Sequence, residues 1–176
     1  LAFDEELYLL GYQVFLARGS TDDAYAVALA AVEQRPDNET WRVRLAEISQ
    51  WSQRPTVALA QWLALAQRTG SHEYWKNVES LATGLRDDDT TMLVLRWKLK
   101  RNPSDMDTIL AISKAYERLG DPRISIQWLQ QQTAQPHISR LAPEKTLALH
   151  EELANVAEKV GDVDLMIQVL SDLNDR

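Results

Sequence analysis

The sequence predicts an all-α fold of about five helix-turn-helix repeats, stacked as a solenoid in a right-handed superhelix. Three observations predict it. Apolar residues step by three and four along most of the chain, as in Trp41, Leu45, Ile48, in Ile109, Ile112, Tyr116, Leu119 and in Leu149, Leu153, Val156, Val160. Such steps place one apolar stripe on each helix, and no segment shows a comparable alternation of period two. Turn residues interrupt the stripes at short intervals: Gly19-Ser20, Arg54-Pro55, Thr69-Gly70, Asn102-Pro103, Gly120-Asp121-Pro122, Gln135-Pro136 and Gly161-Asp162. This punctuation itself recurs: Pro103 and Pro136 lie 33 residues apart, Pro36 and Pro103 lie 67 apart, and Gly19 and Gly120 lie 101 apart. Those separations are one, two and three multiples of roughly 34 residues.

About ten short helices follow from this punctuation, in units spanning roughly 3–37, 38–70, 71–104, 105–137 and 143–176. The first unit carries Phe15, Gly19, Ala24, Ala28, Ala31 and Pro36, and the second Leu45, Ala46, Ala58 and Trp62. The third, around Trp75, Ala82, Leu95 and Pro103, is the least regular. The fourth carries Tyr116, Gly120 and Pro136; the fifth carries Leu153, Ala154, Gly161 and Leu170. This order of residues resembles the tetratricopeptide repeat (TPR), a helix pair of about 34 residues. Gly19, Gly120 and Gly161 fall where the first helix of a pair must end in a left-handed turn. Small Ala24, Ala28, Ala58 and Ala154 allow close helix approach, while Phe15, Trp62 and Tyr116 fill the space between pairs. Gly120 and Gly161 are 41 residues apart, and the excess is expected as a polar loop over Thr133–Pro143, with a kink between units four and five.

Composition narrows the function. The 176 residues hold 19 Lys and Arg against 26 Asp and Glu, a net charge of -7, and the apolar share is 45%. A negative field repels nucleic acid and anionic lipid, so neither is expected as a partner, and a cationic one is easier. The absence of cysteine removes disulfides, thiolate metal sites and Cys nucleophiles. The longest apolar stretch, Ala24 to Val32, is far shorter than the roughly 20 residues a bilayer requires. The chain begins at Leu1 rather than Met and is read as a piece of a longer protein.

No motif points to catalysis. His72, His137 and His150 offer no second histidine at ligand spacing, so exposed or capping roles are expected, with no metal and no cofactor. Asp87-Asp88-Asp89 suits a helix start, with Asp89 or Thr90 as the cap. Arg96, Lys98, Lys100 and Arg101 suit a helix C-terminus, where cations complement the dipole. Trp62, Trp97 and Trp128 are expected to pack on second helices. Trp51 lies one turn past its core stripe and is either an exposed anchor or a packing residue on the next repeat. Carrying the repeat register along the chain predicts a partner-binding groove of Gln13, Val43, Glu47, Gln50, Trp51, Lys76, Ser80, Lys114, Glu117, Arg118, Asn155 and Glu158. The set is polar and mixed in charge.

The run from Trp41 to Leu63, WRVRLAEISQWSQRPTVALAQWL, is similar to the TPR region of the Pel exopolysaccharide export family. The shared pattern is Arg44-Leu45-Ala46-Glu47, then Trp51, Pro55, Ala58-Leu59 and Trp62, with Gln53 where many TPRs have glycine. This resemblance implies a non-catalytic periplasmic scaffold preceding an outer-membrane β-barrel. Its expected partner is a periplasmic polysaccharide-modifying protein of deacetylase or hydrolase type, with the cationic exopolysaccharide itself as an alternative ligand. A generic TPR adaptor or an architectural spacer are further alternatives. The end repeats lack polar capping helices, so self-association near Leu7 or Leu170 is also expected.

Overall fold

A computed structural model describes residues 3–141 and 143–174, and among them it holds eleven α-helices and no strand. Eight form four packed pairs, and two more follow one another in the chain through a turn of the same kind. The first two pairs are α1 (Glu5–Ala17) with α2 (Thr21–Gln34) and α3 (Glu39–Trp51) with α4 (Pro55–Thr69); α5 (His72–Leu85) and α6 (Asp88–Arg101) are the consecutive helices. The remaining pairs are α7 (Met106–Arg118) with α8 (Pro122–Thr133), and α10 (Pro143–Val160) with α11 (Val163–Asn174); α9 (Pro136–Ser139) is a single turn between the last two pairs. The chain divides into two compact units, Leu1–Thr90 and Thr91–Arg176, with the division inside α6.

One backbone event joins the two helices of each repeat. Gly19, Gln53, Arg86, Gly120 and Gly161 all adopt positive φ, at 71°, 60°, 55°, 86° and 76°. Each directly follows the last turn of a first helix, and the N–H of the next residue reaches back five positions. Ser20 donates to the Phe15 carbonyl at 2.9 Å, Arg54 to Ser49 at 2.7 Å, Asp87 to Ala82 at 2.9 Å, Asp121 to Tyr116 at 2.9 Å and Asp162 to Ala157 at 2.9 Å. This is the Schellman arrangement, which satisfies carbonyls that the helix end would otherwise leave open. Steps of 34, 33, 34 and 41 residues separate the five left-handed positions. They define the repeat more sharply than the glycines do, because Gln53 and Arg86 carry it where no glycine stands.

Second helices begin by different devices. Pro55 and Pro122 occupy first-turn positions, where a missing N–H costs nothing. At α6 the cap is Asp87 rather than the expected Asp89 or Thr90: its carboxylate accepts from the Thr90 N–H at 2.9 Å and from the Thr90 hydroxyl at 2.7 Å. The placement follows from geometry, since a capping carboxylate serves the N–H three residues ahead.

In the N-terminal unit, α1–α3 close around Tyr12, Ala24, Ala28, Ala31, Trp41, Leu45 and Ile48, with the Tyr12 ring edge-on to Trp41 at 5.8 Å. The small alanines let α1 and α2 approach closely enough for the two aromatics to fill the remaining volume. Trp62 is buried on α4, and Phe15 and Tyr116 are half-buried. Core burial of this kind stabilises by about 25 cal/mol per Å² of apolar surface, which a lone pair cannot supply in sufficient amount.

In the C-terminal unit the core joins Ile109, Ile126, Leu129, Ile138, Leu149, Leu153 and Val156. Ile138 corrects the expectation of a polar loop over Thr133–Pro143. Pro136 starts the turn α9 instead of merely ending α8, and α9 inserts Ile138, fully buried, between α8 and α10. The extra residues of the longer step therefore bring their own hydrophobic plug.

Candidate functional site

The candidate site lies on the first helices of the pairs, and its register is set by the left-handed positions. Six residues before each stand Gln13, Glu47, Ser80, Lys114 and Asn155, and all five are exposed. Three and two residues before it stand Gln50 and Trp51 on α3 and Glu117 and Arg118 on α7, with Glu158 on α10; Val43 and Lys76 lie ten before. Of the predicted residues, Val43 and Glu117 are half-buried, the other ten are exposed and none is buried.

In the N-terminal unit the face comprises Gln13, Val43, Glu47, Gln50, Trp51, Lys76 and Ser80. Trp51 resolves its two readings: it ends α3 with 60% of its surface exposed, whereas Trp41 one helix face away is fully buried. Tyr12 is buried on α1, and its hydroxyl pKa is raised by that burial and by the Glu47 charge, with Arg44 opposing. Arg44 itself lies over the Trp41 ring at 4.6 Å, so its cation is held flat on the core rather than reaching outward. Tyr74 of α5 donates to Glu39 of α3 at 2.9 Å and ties the neighbouring first helices.

In the C-terminal unit the face comprises Lys114, Glu117, Arg118, Asn155 and Glu158. Here α7 and α10 are in contact, and Lys159 donates to the Glu117 carboxylate at 2.7 Å across them. That hydrogen bond raises the Lys159 pKa against slight desolvation, with the charges of Glu117 and Glu152 adding to it. Lys159 is missing from the predicted set, although it stands two residues before Gly161, the register that selects Trp51 and Arg118. The same spacing rule, applied to the fifth repeat, finds it.

The residues set aside on sequence grounds fall as follows. His150 is buried on α10, not exposed or capping, with Nδ1 at 2.8 Å from the Thr146 carbonyl. His137 Nε2 lies 3.1 Å from the Pro103 carbonyl. Among the described residues no group of three His, Asp or Glu side chains could hold a metal ion. Lys98, Lys100 and Arg101 occupy the last turn of α6, Arg101 lies over the Trp97 ring at 5.0 Å, and Arg96 donates to the Tyr116 hydroxyl at 3.1 Å. Trp62 is buried, Trp97 and Trp128 are half-buried, and Trp128 Nε1 donates to the Ile109 carbonyl at 3.1 Å. No helix among the described residues is long and apolar enough to cross a membrane.

What these elements define is an all-α repeat fold of antiparallel helix pairs closed by left-handed turns. In fold it is an all-α solenoid of the tetratricopeptide-repeat kind, to which solved structures are similar. An Naa15/Naa10 structure bound to HypK-THB aligns with 94% of this chain and 30% of its own, at 17% identity and a TM-score of 0.57. The nearly identical TPR-like repeats of a kinesin light chain candidate from Podosopora anserina align with 96% of this chain and 92% of theirs, at 14% identity and a TM-score of 0.50. At these identities the likeness is one of fold. No protein-family profile matches the chain, and no curated protein matches it in sequence.

Proposed function

We propose that this chain is a non-catalytic scaffold whose first-helix faces hold a partner protein. The observation that carries the reading is Trp51. A tryptophan with most of its surface in water gains nothing for folding there, and aromatic anchors of this kind dominate binding energy at protein interfaces. Gln50 and Glu47 on the same helix, and Lys76 and Ser80 on the first helix of the next repeat, supply exposed polar groups of both signs. Such a surface suits a partner with complementary charges better than an apolar helix.

The finer reading rests on the resemblance of Trp41–Leu63 to Pel export proteins. In it the five repeats act as one array in the periplasm, within a longer outer-membrane protein of an exopolysaccharide secretion system. The array positions a polysaccharide deacetylase or hydrolase near the export pore. Co-purification with such an enzyme tests this, comparing the unaltered chain with Trp51→Ala and Glu47→Lys. Reduced recovery with both variants is expected, and unchanged recovery with both removes the assignment.

A second reading, guidance of a cationic polysaccharide, draws on the net charge of -7 and on the exposed indole. Sugars stack on aromatic faces, and only Trp51 among the predicted groove residues offers one. Titration of a cationic oligosaccharide with detection by tryptophan fluorescence separates the two: a shift lost in Trp51→Ala favours guidance, and no shift at millimolar ligand removes it.

A further inference from the structure

We propose that a cavity among α8, α9, α10 and α11 is a ligand site, separate from the first-helix face, and that it takes a primary alkylammonium group. The cavity lies wholly within the C-terminal unit and has a volume of about 320 Å³, near the lower end for small-molecule sites. The residues that lengthen the 41-residue step build it. They form α9, which stands between α8 and α10, and its Ile138 and Ser139 line the cavity beside Ala134 at the end of α8.

His150 is the group in this cavity that calls for a ligand. It stands eleven residues before Gly161, and the same register position in the other repeats holds Tyr8, Arg42, Trp75 and Ile109. The polar side chains at Tyr8 and Arg42 are answered by nearby chain. The Tyr8 hydroxyl accepts from the Gln34 amide, and Arg42 donates to Gln61 Oε1 and to the Pro36 carbonyl, both at 2.7 Å. His150 is only 8% exposed, and its Nδ1 is engaged by the Thr146 carbonyl at 2.8 Å. A carbonyl only accepts, so Nδ1 carries the proton, and in the neutral ring Nε2 is an acceptor. His150 lines the cavity, and no donor among the described residues reaches Nε2. A buried acceptor without a donor is costly, and a donor brought by a ligand removes that cost.

The rest of the lining selects the charge of that donor. Asp172 of α11 contributes a carboxylate, Gln130 and Gln168 contribute amide oxygens, and no Lys or Arg lines the cavity among the described residues. An ammonium group brings three N–H donors and a positive charge, which these acceptors match. An anion would meet Asp172 and no cation. Leu153, Leu165 and Val169 give an aliphatic tail its apolar wall. A metal ion fits less well, because no third His, Asp or Glu among the described residues completes a set with His150 and Asp172. A free amine and a lysine side chain carry the same head on the same kind of stem.

The test follows backbone amide NMR signals of the whole chain in titrations with n-butylammonium, n-butanol and butyrate, one tail under a cationic, a neutral and an anionic head. Saturable shifts at Ser139, His150 and Val169 are expected with n-butylammonium at millimolar concentration, weaker ones with n-butanol and none with butyrate. Asp172→Asn should weaken binding of the amine about tenfold, the scale of one charge-assisted hydrogen bond. Asp172 is exposed, so that variant keeps the fold whatever His150 variants do. His150→Phe should abolish binding, and His150→Gln, which returns an amide oxygen near the Nε2 position, should retain part of it. Trp51→Ala should leave binding unchanged, which separates this site from the proposed scaffold face. Nα-acetyl-lysine methylamide forms a second arm: shifts at the same residues assign the head to a lysine of another protein, and their absence assigns it to a free amine. No saturable shift with n-butylammonium, equal shifts with butyrate, or indifference to both Asp172→Asn and His150→Phe overturns the inference.

Discussion

Gln53 and Arg86 hold the same left-handed backbone, at φ 60° and 55°, one repeat apart, each doing the work that glycine does at 19, 120 and 161. A side chain in that conformation brings Cβ against the following carbonyl, at about 1–2 kcal/mol per residue. Gln53→Gly and Arg86→Gly should each stabilise the chain, by about 0.5–1 kcal/mol once the extra freedom of the unfolded glycine is deducted. Gly120→Ala should destabilise by about 1 kcal/mol or more. Urea unfolding of the three variants checks both signs, and a destabilising Gln53→Gly would contradict the assigned turn.

How far the fold was legible follows from the same residues. Gly19, Gly120 and Gly161 betray the repeat because glycine is the residue a left-handed cap prefers. Gln53 and Arg86 betray nothing by type, and only the period places them there. Ile138 was hidden by polar neighbours: a four-residue helix is too short to display a helical stripe, so its burial is set by the gap between α8 and α10 rather than by local pattern. The burial of His150 is hidden from the sequence for a related reason, since it depends on tertiary contacts of α10. The candidate face was more legible, because exposure on a repeat helix follows from register alone. Lys159 is legible by the same rule, since the position two before the left-handed residue, which yields Trp51 and Arg118, yields Lys159 on α10.

Ile138→Ala should cost about 2–4 kcal/mol, the range for truncating a large core side chain. Arg140→Ala, two residues on and exposed, should change stability by no more than about 0.5 kcal/mol. Thermal unfolding of both variants distinguishes a core plug from a surface loop, which would leave the two alike.

Alkaline pH should loosen the ties between first helices. The Lys159 pKa is raised mainly by its bond to Glu117, and the Tyr74 pKa is raised by burial and then by its bond to Glu39. Both groups keep their proton better in the folded chain. Their stabilisation is therefore complete below the unfolded values, near pH 10, and lost as pH rises through the higher folded values. For the exposed Lys159–Glu117 pair the amount is about 0.2–1 kcal/mol, less at high salt. A double-mutant cycle with Lys159→Met and Glu117→Gln, run at pH 7 and pH 11, should show weaker coupling at the higher pH.

Trp51→Ala should leave folding stability within about 0.5 kcal/mol, because the indole is mostly in water. Trp41→Ala should cost about 3–5 kcal/mol, because that indole is fully enclosed. Equal losses in the two melting curves would contradict the separation of core from surface tryptophans.

The scaffold reading is tested most directly by amide hydrogen exchange of the chain with and without its co-purified partner. Added protection is predicted in the first helices, strongest over residues 43–51 and 76–80, with the second helices α4 and α8 unchanged. Protection confined to second helices, or spread evenly over both, would contradict it.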